Sequence, residues 1–186
     1  MSAATDFVSL NIAVLTVSDT RSFENDTSGQ ALVDALEESG HQLIDRHLVP
    51  DDIYQMRAVV SQWIANPDVQ AVIVTGGTGF TDRDSTPEAL TPLFDKEVKG
   101  FGELFRQVSY DEIGSSTIQS RAFAGLVNKT VIFCLPGSTG ACRTGWNKII
   151  KEQLDSTHRP CNFVGLLMGS QHKPVEVVKP YCSPRG

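Results

Sequence analysis

A chain of 186 residues, 40% hydrophobic and 20% charged, has room for one complete domain plus an appendage, since a domain takes about 150 residues. That composition buries a real core and excludes collagen-like, coiled-coil, mucin-like and wholly disordered readings. Sixteen Lys and Arg against 22 Asp and Glu leave a formal charge of -6, the wrong sign for gripping nucleic acid, so no nucleic-acid partner is expected and any anionic ligand must be held locally.

Leu10 to Val17 is a nearly unbroken apolar run, the pattern of a strand covered on both faces in a parallel sheet; with no Lys or Arg before Arg21 it lacks the basic flank of a signal peptide. Ser18 and Asp19 close it. Thr27 and Gln30 have capping-box spacing, and Ala31, Leu32, Ala35 and Leu36 form a helical stripe that stops before Gly40. A second strand, Gln42 to Val49, runs into Pro50, Asp51 and Asp52, after which Ile53, Met56, Val60, Trp63 and Ile64 repeat at helical spacing. Val69 to Val74 is the third strand and ends in Thr75-Gly76-Gly77-Thr78-Gly79. Ser85-Thr86-Pro87-Glu88 opens a short helix, with either Ser85 capping opposite Glu88 or Thr86 capping before Pro87.

Phe101, Leu104, Phe105 and Val108 predict another helix, and Val131 to Leu135 another buried strand, stopped by Pro136-Gly137-Ser138. The helix after it carries Cys142, Trp146, Ile149, Ile150 and Leu154 on one face. This alternation predicts an α/β domain of three layers, a mostly parallel sheet with helices on both faces. The domain is expected over residues 10–158, with an N-terminal extension over 1–9 and an extended C-terminal arm over 159–186, where prolines punctuate a segment without a period. No apolar run approaches the roughly 18 residues of a membrane span, so no membrane contact is expected. Four cysteines without a C-x-x-C pair suit reduced thiols in the cytoplasm, and the four histidines show no zinc-ligand spacing.

Ligands of open α/β sheets sit at the carboxyl ends of the strands, and here those ends carry Ser18-Asp19, Asp51-Asp52, Thr75 to Gly79 and Gly137-Ser138. Any one of these loops is explained by turns and caps alone; four together point to a site. Thr75 to Gly79 offers successive backbone N–H groups with little side-chain bulk, as a phosphate requires, yet matches neither the dinucleotide fingerprint nor the P-loop. Asp84 follows closely, and a carboxylate beside an anion site is costly unless a cation joins them. Mg²⁺ is the expected cation, with Asp51 as second carboxylate. The competing reading makes Asp51 or Asp52 a helix cap and Asp84 a turn residue. Arg21, Arg83, Arg121 and Arg143 are candidate local positive charges. Without a G-x-S-x-G elbow, a triad hydrolase is not expected. Cys134, Trp63 and Trp146 are read as core.

Val17-Ser18-Asp19, Asp26-Thr27-Ser28-Gly29, Val49-Pro50-Asp51, Thr75 to Thr81, Asp84-Ser85-Thr86-Pro87-Glu88-Ala89 and Pro136-Gly137-Ser138 occur in an order that resembles the MoaB/Mog family of molybdenum cofactor biosynthesis proteins. The match runs from about residue 10 to residue 165, and Pro136 to Thr139 with Arg159 to Phe163 looks like the MoaB branch. The resemblance implies a nucleotidyl transfer: the terminal phosphate of molybdopterin attacks the α-phosphorus of ATP, and pyrophosphate leaves with Mg²⁺ assistance. A phosphate monoester, with a second pKa of about 6, is already anionic at neutral pH and needs no general base, which suits the lack of a catalytic histidine. By the resemblance Asp51 and Asp84 are the catalytic and metal-binding carboxylates. Thr75, Gly76, Gly77, Thr78 and Gly79 hold the nucleotide or pterin phosphate. Ser18, Asp19, Ser120 and Ser138, with Asp26, Gly29 and Gly137 of the matched motifs, contact substrate.

The family often reads P-G-N-P where this chain has Pro136-Gly137-Ser138-Thr139. The alternative to the enzyme is therefore a non-catalytic molybdopterin-binding paralogue; a more distant one is hydrolysis of a nucleotide pyrophosphate on the same fold. The resemblance further implies a homotrimer or homohexamer, with the C-terminal arm as a cross-subunit contact, and hand-over of product to a molybdate-insertion protein.

Overall fold

In the computed structural model, which describes residues 6–168, six strands form a sheet: β1 (Asn11–Val17), β2 (Gln42–Val49), β3 (Ala71–Thr75), β4 (Lys96–Glu97), β5 (Phe123–Val127) and β6 (Thr130–Leu135). Their order across the sheet is β2-β1-β3-β6-β5-β4. The first four run parallel, with Val14 between Arg46 and Ile73, whereas at one edge β5 pairs antiparallel with β6 and β4 antiparallel with β5. The sheet is thus mixed, parallel in the half that the apolar runs predict.

Helices α1 (Thr27–Glu38), α2 (Ile53–Ala65), α3 (Thr86–Leu90) and α4 (Lys99–Ile113) follow strands or loops in turn. After β6 comes α5 (Thr139–Gly145), which passes through a π-helical stretch, Trp146–Ile150, into α6 (Lys151–Gln153); α7 (Val164–Leu167) is last. Because successive side chains of a strand point to opposite faces, β1 sends Ile12 and Val14 to one side and Ala13 and Leu15 to the other. On the first side they meet Leu32 and Leu36 of α1, Phe101 and Phe105 of α4, and Trp146. On the second they meet Met56, Val60 and Trp63 of α2 and Leu90 of α3. This double cover is why β1, β3 and β6 read as continuous apolar runs, each enclosed Val, Leu or Ile contributing about 1.5–3 kcal/mol.

The structure changes two details of the helix starts and decides a third. Asp26, not Thr27, caps α1, accepting from the Gly29 N–H at 2.9 Å, while the Gln30 side chain turns to Asp34 and Arg46. Asp52 caps α2 through the N–H groups of Tyr54 and Gln55 at 3.0 and 2.8 Å, which releases Asp51. Ser85 precedes α3 without capping it, because its hydroxyl donates to Asp51 instead, and Glu88 pairs with Arg121.

The ends also differ from expectation. Residues 159–168 are no extended arm: α7 buries Val164 and Leu167, and the Phe163 ring lies 6.1 Å edge-on to Phe133. Of the expected N-terminal extension, Asp6 and Val8 are tied to Ser156 by hydrogen bonds of 2.9 and 2.8 Å. The remainder of the arm, 169–186, and residues 1–5 lie outside the described residues.

Candidate functional site

The parallel strands all end on one side of the sheet, and the chain reverses its strand order between β1 and β3, where such sheets leave a crevice. A cleft of about 620 Å³ opens there. One wall is made by Ser18 after β1, Thr75 to Gly79 after β3, and Gly137 with Ser138 after β6. The opposite wall comes from α4 and the 3-10 helix Gly114–Gln119, including Ser109, Glu112, Thr117 and Ser120. Thr75 is its buried floor, donating to the Pro136 carbonyl at 3.0 Å and sitting 3.1 Å from the Cys142 thiol.

The loop after β3 is shaped by two glycines. Gly76 has φ +108°, and a Cβ there would fall 2.1 Å from the Val17 carbonyl oxygen, so only glycine lets the loop press against the end of β1. Gly77 has φ +62°, and its Cβ would lie 2.3 Å from Thr86 Oγ1 and 2.5 Å from Asp51 Oδ2. The loop is pinned from outside. Thr86 donates to the Gly76 carbonyl at 2.9 Å; Arg121 donates from Nε to the Gly79 carbonyl at 2.7 Å and from Nη2 to the Asp84 carbonyl at 2.8 Å. Arg121, read from sequence as a candidate charge for ligand, is thus a staple across the loop, stacked under Phe80.

Asp84 lines the cleft beside this loop. Its Oδ2 accepts from the Thr81 N–H at 2.8 Å and hydroxyl at 2.6 Å. Burial pushes its carboxyl up, but the Thr81 hydroxyl and N–H, the Gly79 N–H and Arg121 outweigh burial and hold it below the ordinary value, ionised at neutral pH. Asp51 stands behind Gly77, not on the cleft surface; its Oδ1 accepts from Ser85, whose N–H lies at 3.1 Å, and its Oδ2 faces the gap that Gly77 leaves. A Cβ at residue 79 would likewise lie 2.7 Å from Asp84 Oδ2. Glycine at 77 and 79 thus lets the loop backbone pack directly against one oxygen of each carboxylate, and the two carboxylates are the hard oxygen donors that Mg²⁺ takes. Among the described residues no group of three His, Cys, Asp or Glu side chains gathers to hold a metal.

Three further expected contacts stand away from the cleft surface. Asp19 forms a two-pronged pair with Arg83 at 2.8 and 2.9 Å and accepts from the Asp51 N–H at 3.0 Å, tying loops together at the rim. Asp26 and Gly29 lie behind the wall. The Asp26 side chain is fully enclosed, accepting from Thr16 at 2.6 Å, Arg46 at 2.9 Å and the Gly29 N–H, so its lone pairs are spent on the fold. Burial pushes its carboxyl up, yet Thr16, Gly29 and Arg46 together bring it below the ordinary range. Ser138 does line the cleft, but its hydroxyl caps α5 through the Ala141 N–H at 3.2 Å. Ser18 lines it too, its hydroxyl accepting from the N–H groups of Thr20 and Arg21.

The α4 wall escapes a reading based on strand ends. Its one sequence signal is Glu112, an acidic residue in line with the apolar stripe Phe101, Phe105 and Val108 at helical spacing.

Comparison with known proteins bears on family and fold. The family model described as "Probable molybdopterin binding domain" matches residues 13–156. Molybdenum cofactor biosynthesis protein B of Escherichia coli (strain K12) is 58% identical over 160 residues, 86% of this chain and 94% of that protein. A crystal structure of molybdenum cofactor biosynthesis protein B matches with a TM-score of 0.77 at 44% identity, covering 79% of this chain and 92% of that one. The tungsten cofactor synthesizing protein MoaB from Pyrococcus furiosus matches at 0.70 and 37%, covering 77% and 92%. Among the described residues no helix is long and apolar enough to cross a membrane.

Proposed function

This chain belongs to the molybdopterin-binding domain family and serves molybdenum cofactor biosynthesis, and from that premise we propose that it adenylylates molybdopterin, using ATP and Mg²⁺. The observation that carries the reading is Asp84, ionised and fixed by Thr81, lining the same cleft as the glycine loop Thr75 to Gly79. An anion cradle and a carboxylate repel a shared ligand unless a cation lies between them. Asp84 and Asp51 would hold that cation, which supplies charge neutralisation at the phosphates.

The chain's own residues do the rest. Of the loop Thr75 to Gly79, the N–H groups of Gly77 and Thr78 donate to phosphate oxygens and fix the line of attack, since the Gly76 N–H is given to the Leu135 carbonyl and the Gly79 N–H to Asp84; Thr86 and Arg121 keep the loop from yielding. The incoming phosphate monoester is an anion at neutral pH, so no side chain need remove a proton. The phosphate oxygen bonds to the α-phosphorus as the bond to pyrophosphate breaks.

A second reading rests on Ser138 and Thr139 standing where the family often has Asn-Pro: the cleft binds molybdopterin without transferring to it. Both are tested by incubating the protein with molybdopterin, Mg²⁺ and ATP labelled at the α-phosphate, beside Asp84→Asn. Adenylylated pterin and pyrophosphate from the wild type, with turnover in Asp84→Asn down by about a hundredfold or more, is expected. Pterin binding without pyrophosphate release establishes the second reading. Oligomer state and hand-over to a molybdate-insertion protein belong to the same proposal: the assembly is a homotrimer or homohexamer, measurable by light scattering.

A further inference from the structure

We propose that Arg21 is the fixed anion contact of the cleft, holding two oxygens of a substrate phosphate through Nε–H and Nη2–H, and that the hydroxyls of Ser28 and Thr139 position it; the inference rests on the cleft being the molybdopterin site. Four arginines stand out in the sequence as candidate local charges, and the structure separates them. Arg121 staples the glycine loop, Arg83 is spent on Asp19, and Arg143 is exposed outside the cleft lining. Arg21 lines the cleft and, among the described residues, is the one Lys or Arg that does; the other charged side chains there are Asp84 and Glu112. Its charge also pulls down on the Cys142 thiol, which meets Thr75 at the cleft floor and which burial pushes up to about 11, so the guanidinium stands near that floor.

The fold uses one of the three guanidinium nitrogens. Nη1 donates to Ser28 Oγ at 2.7 Å and lies 3.4 Å from Asp26 Oδ1. Asp26 is satisfied without it: Oδ1 accepts from the Gly29 N–H at 2.9 Å, Oδ2 accepts from Thr16 and Arg46, and these three hold the carboxyl below the ordinary range. Nε and Nη2 of Arg21 make no hydrogen bond among the described residues, and 29% of the side chain stays exposed. The same two groups of Arg83 grip both oxygens of Asp19, at 2.9 and 2.8 Å, which shows what this edge of a guanidinium does when an anion meets it. A phosphate fits the fork as a carboxylate does.

A relay of hydroxyls sets the direction of that edge. Ser28 is fully buried and has one proton, which goes to the Gly137 carbonyl at 2.8 Å, so its oxygen accepts from Arg21 and, at 3.3 Å, from Thr139. With the Thr139 proton given to Ser28, Thr27 donates to Thr139 at 2.9 Å. Arg21 is thereby registered against the loop after β6. Thr139 stands where the family often has proline, which has no hydroxyl to give, so this positioning belongs to the Ser138-Thr139 form of the loop. The ligand group that completes Arg21 must bring two adjacent oxygens and a negative charge. Both substrates of the proposed transfer carry such phosphates, whereas a pterin ring or a nucleoside offers none.

The test is titration of the full chain with 6-hydroxymethylpterin and its phosphate monoester, and in parallel with adenosine and AMP, in EDTA so that no cation bridges a ligand to Asp84. The wild type is expected to bind the phosphorylated member of one pair about tenfold or more tighter, as for a charge-assisted hydrogen bond, and the pair that shows the preference identifies the phosphate as the pterin's or the nucleotide's. Arg21→Gln is expected to abolish the preference, Arg21→Lys to keep part of it, since an ammonium retains the charge without the fork, and Thr139→Val to lower it by about threefold. Each variant is read as a ratio between two ligands, so a general loosening of the fold cancels. An unchanged ratio in Arg21→Gln overturns the anion contact, and an unchanged ratio in Thr139→Val overturns the relay. Arg21→Lys carries the test where Arg21→Gln fails to fold: a ratio equal to the wild type's overturns the fork. A phosphate preference that appears only when Mg²⁺ is supplied overturns the assignment, because the metal and not Arg21 then holds the phosphate. A wild type that binds molybdopterin yet shows no phosphate preference overturns the assignment and leaves the cleft reading standing. A wild type that binds neither molybdopterin nor any of these probes overturns the cleft reading itself, and this assignment with it.

Discussion

The parallel half of the sheet and its antiparallel edge each give the cleft one wall, and they build it by different means. On the parallel side the wall is backbone, held by buried polar bonds: Thr16 to Asp26 at 2.6 Å, Asp26 to Arg46 at 2.9 Å, Thr86 to the Gly76 carbonyl at 2.9 Å. Those bonds hold the fold as well as the loop. On the other side α4 packs through Phe101 and Phe105, and the polar groups that it and the 3-10 helix after it show the cleft, Glu112 and Gln119 among them, are exposed. The difference implies that binding and stability are inseparable on the first wall and separable on the second.

The largest effect should come from Gly77→Ala. A left-handed residue costs about 1–2 kcal/mol when it carries a Cβ. The added methyl must also displace Thr86 Oγ1 at 2.3 Å and Asp51 Oδ2 at 2.5 Å, both enclosed, for a total of about 3 kcal/mol or more. The same displacement spoils the phosphate cradle, so turnover should fall by about a hundredfold. Denaturant titration and turnover measured on one preparation check both; loss of only one would break the coupling claimed for this wall.

Asp26→Asn should come next, at about 3–5 kcal/mol, since it leaves Arg46, largely buried, without its anion. The pH dependence follows. The Asp26 pKa is lowered in the fold, so its contribution is fully present above about pH 4, the unfolded value, and is lost as pH falls through the folded one. His41 acts earlier in the same direction. Burial lowers its pKa against the pull of Asp155, and its Nδ1 accepts from the Leu10 N–H at 3.3 Å, so the fold holds it neutral while the unfolded chain protonates below about pH 6.5. Wild-type stability should decline below about pH 6.5 and more steeply below about pH 4. Asp26→Asn, weaker throughout, should show a shallower decline below about pH 4, the remainder coming from Asp84 and Asp155, whose carboxyls the fold also holds below the ordinary value, as urea midpoints across pH would record.

What the sequence reveals divides along the same line. The parallel strands, the glycine loop and Asp84 are legible because each is a contiguous run or motif whose local chemistry is its structural reason. Asp52 as the cap that frees Asp51 lies within that reach. The start of α1 is misplaced by one residue because Thr27 and Gln30 fit a capping box while the true cap, Asp26, also satisfies partners on β1 and β2. Arg121 reaches Gly79 from 42 residues away, and no local pattern records such a pairing. β4 has two residues, too few for a period, and β5 is interrupted by Gly125, present because a Cβ there would strike the Phe94 ring at 2.1 Å. The α4 wall shows only one acidic residue in an apolar stripe, a signal that acquires meaning once the cleft is seen.

The smallest effect should be a gain, at the antiparallel edge. Asn128 and Lys129 link β5 to β6 with φ of 44° and 67°, a two-residue turn with both central residues left-handed. Asparagine tolerates that conformation, and here its N–H donates to Asp95 at 2.9 Å and its side chain to the Ile64 carbonyl at 2.8 Å, so the turn is fixed from outside. Lysine has no such compensation and carries the Cβ penalty of about 1–2 kcal/mol, part of which glycine would return as greater freedom of the unfolded chain. Lys129→Gly should therefore stabilise the protein by about 0.5–1 kcal/mol, a rise of about 1–4 °C in melting temperature. Pterin affinity should not change, because the turn lies at the opposite end of β6 from the cleft. A shift in pterin affinity would mean that the edge strands hold α4 in place, and that the second wall, like the first, cannot be stabilised without being retuned.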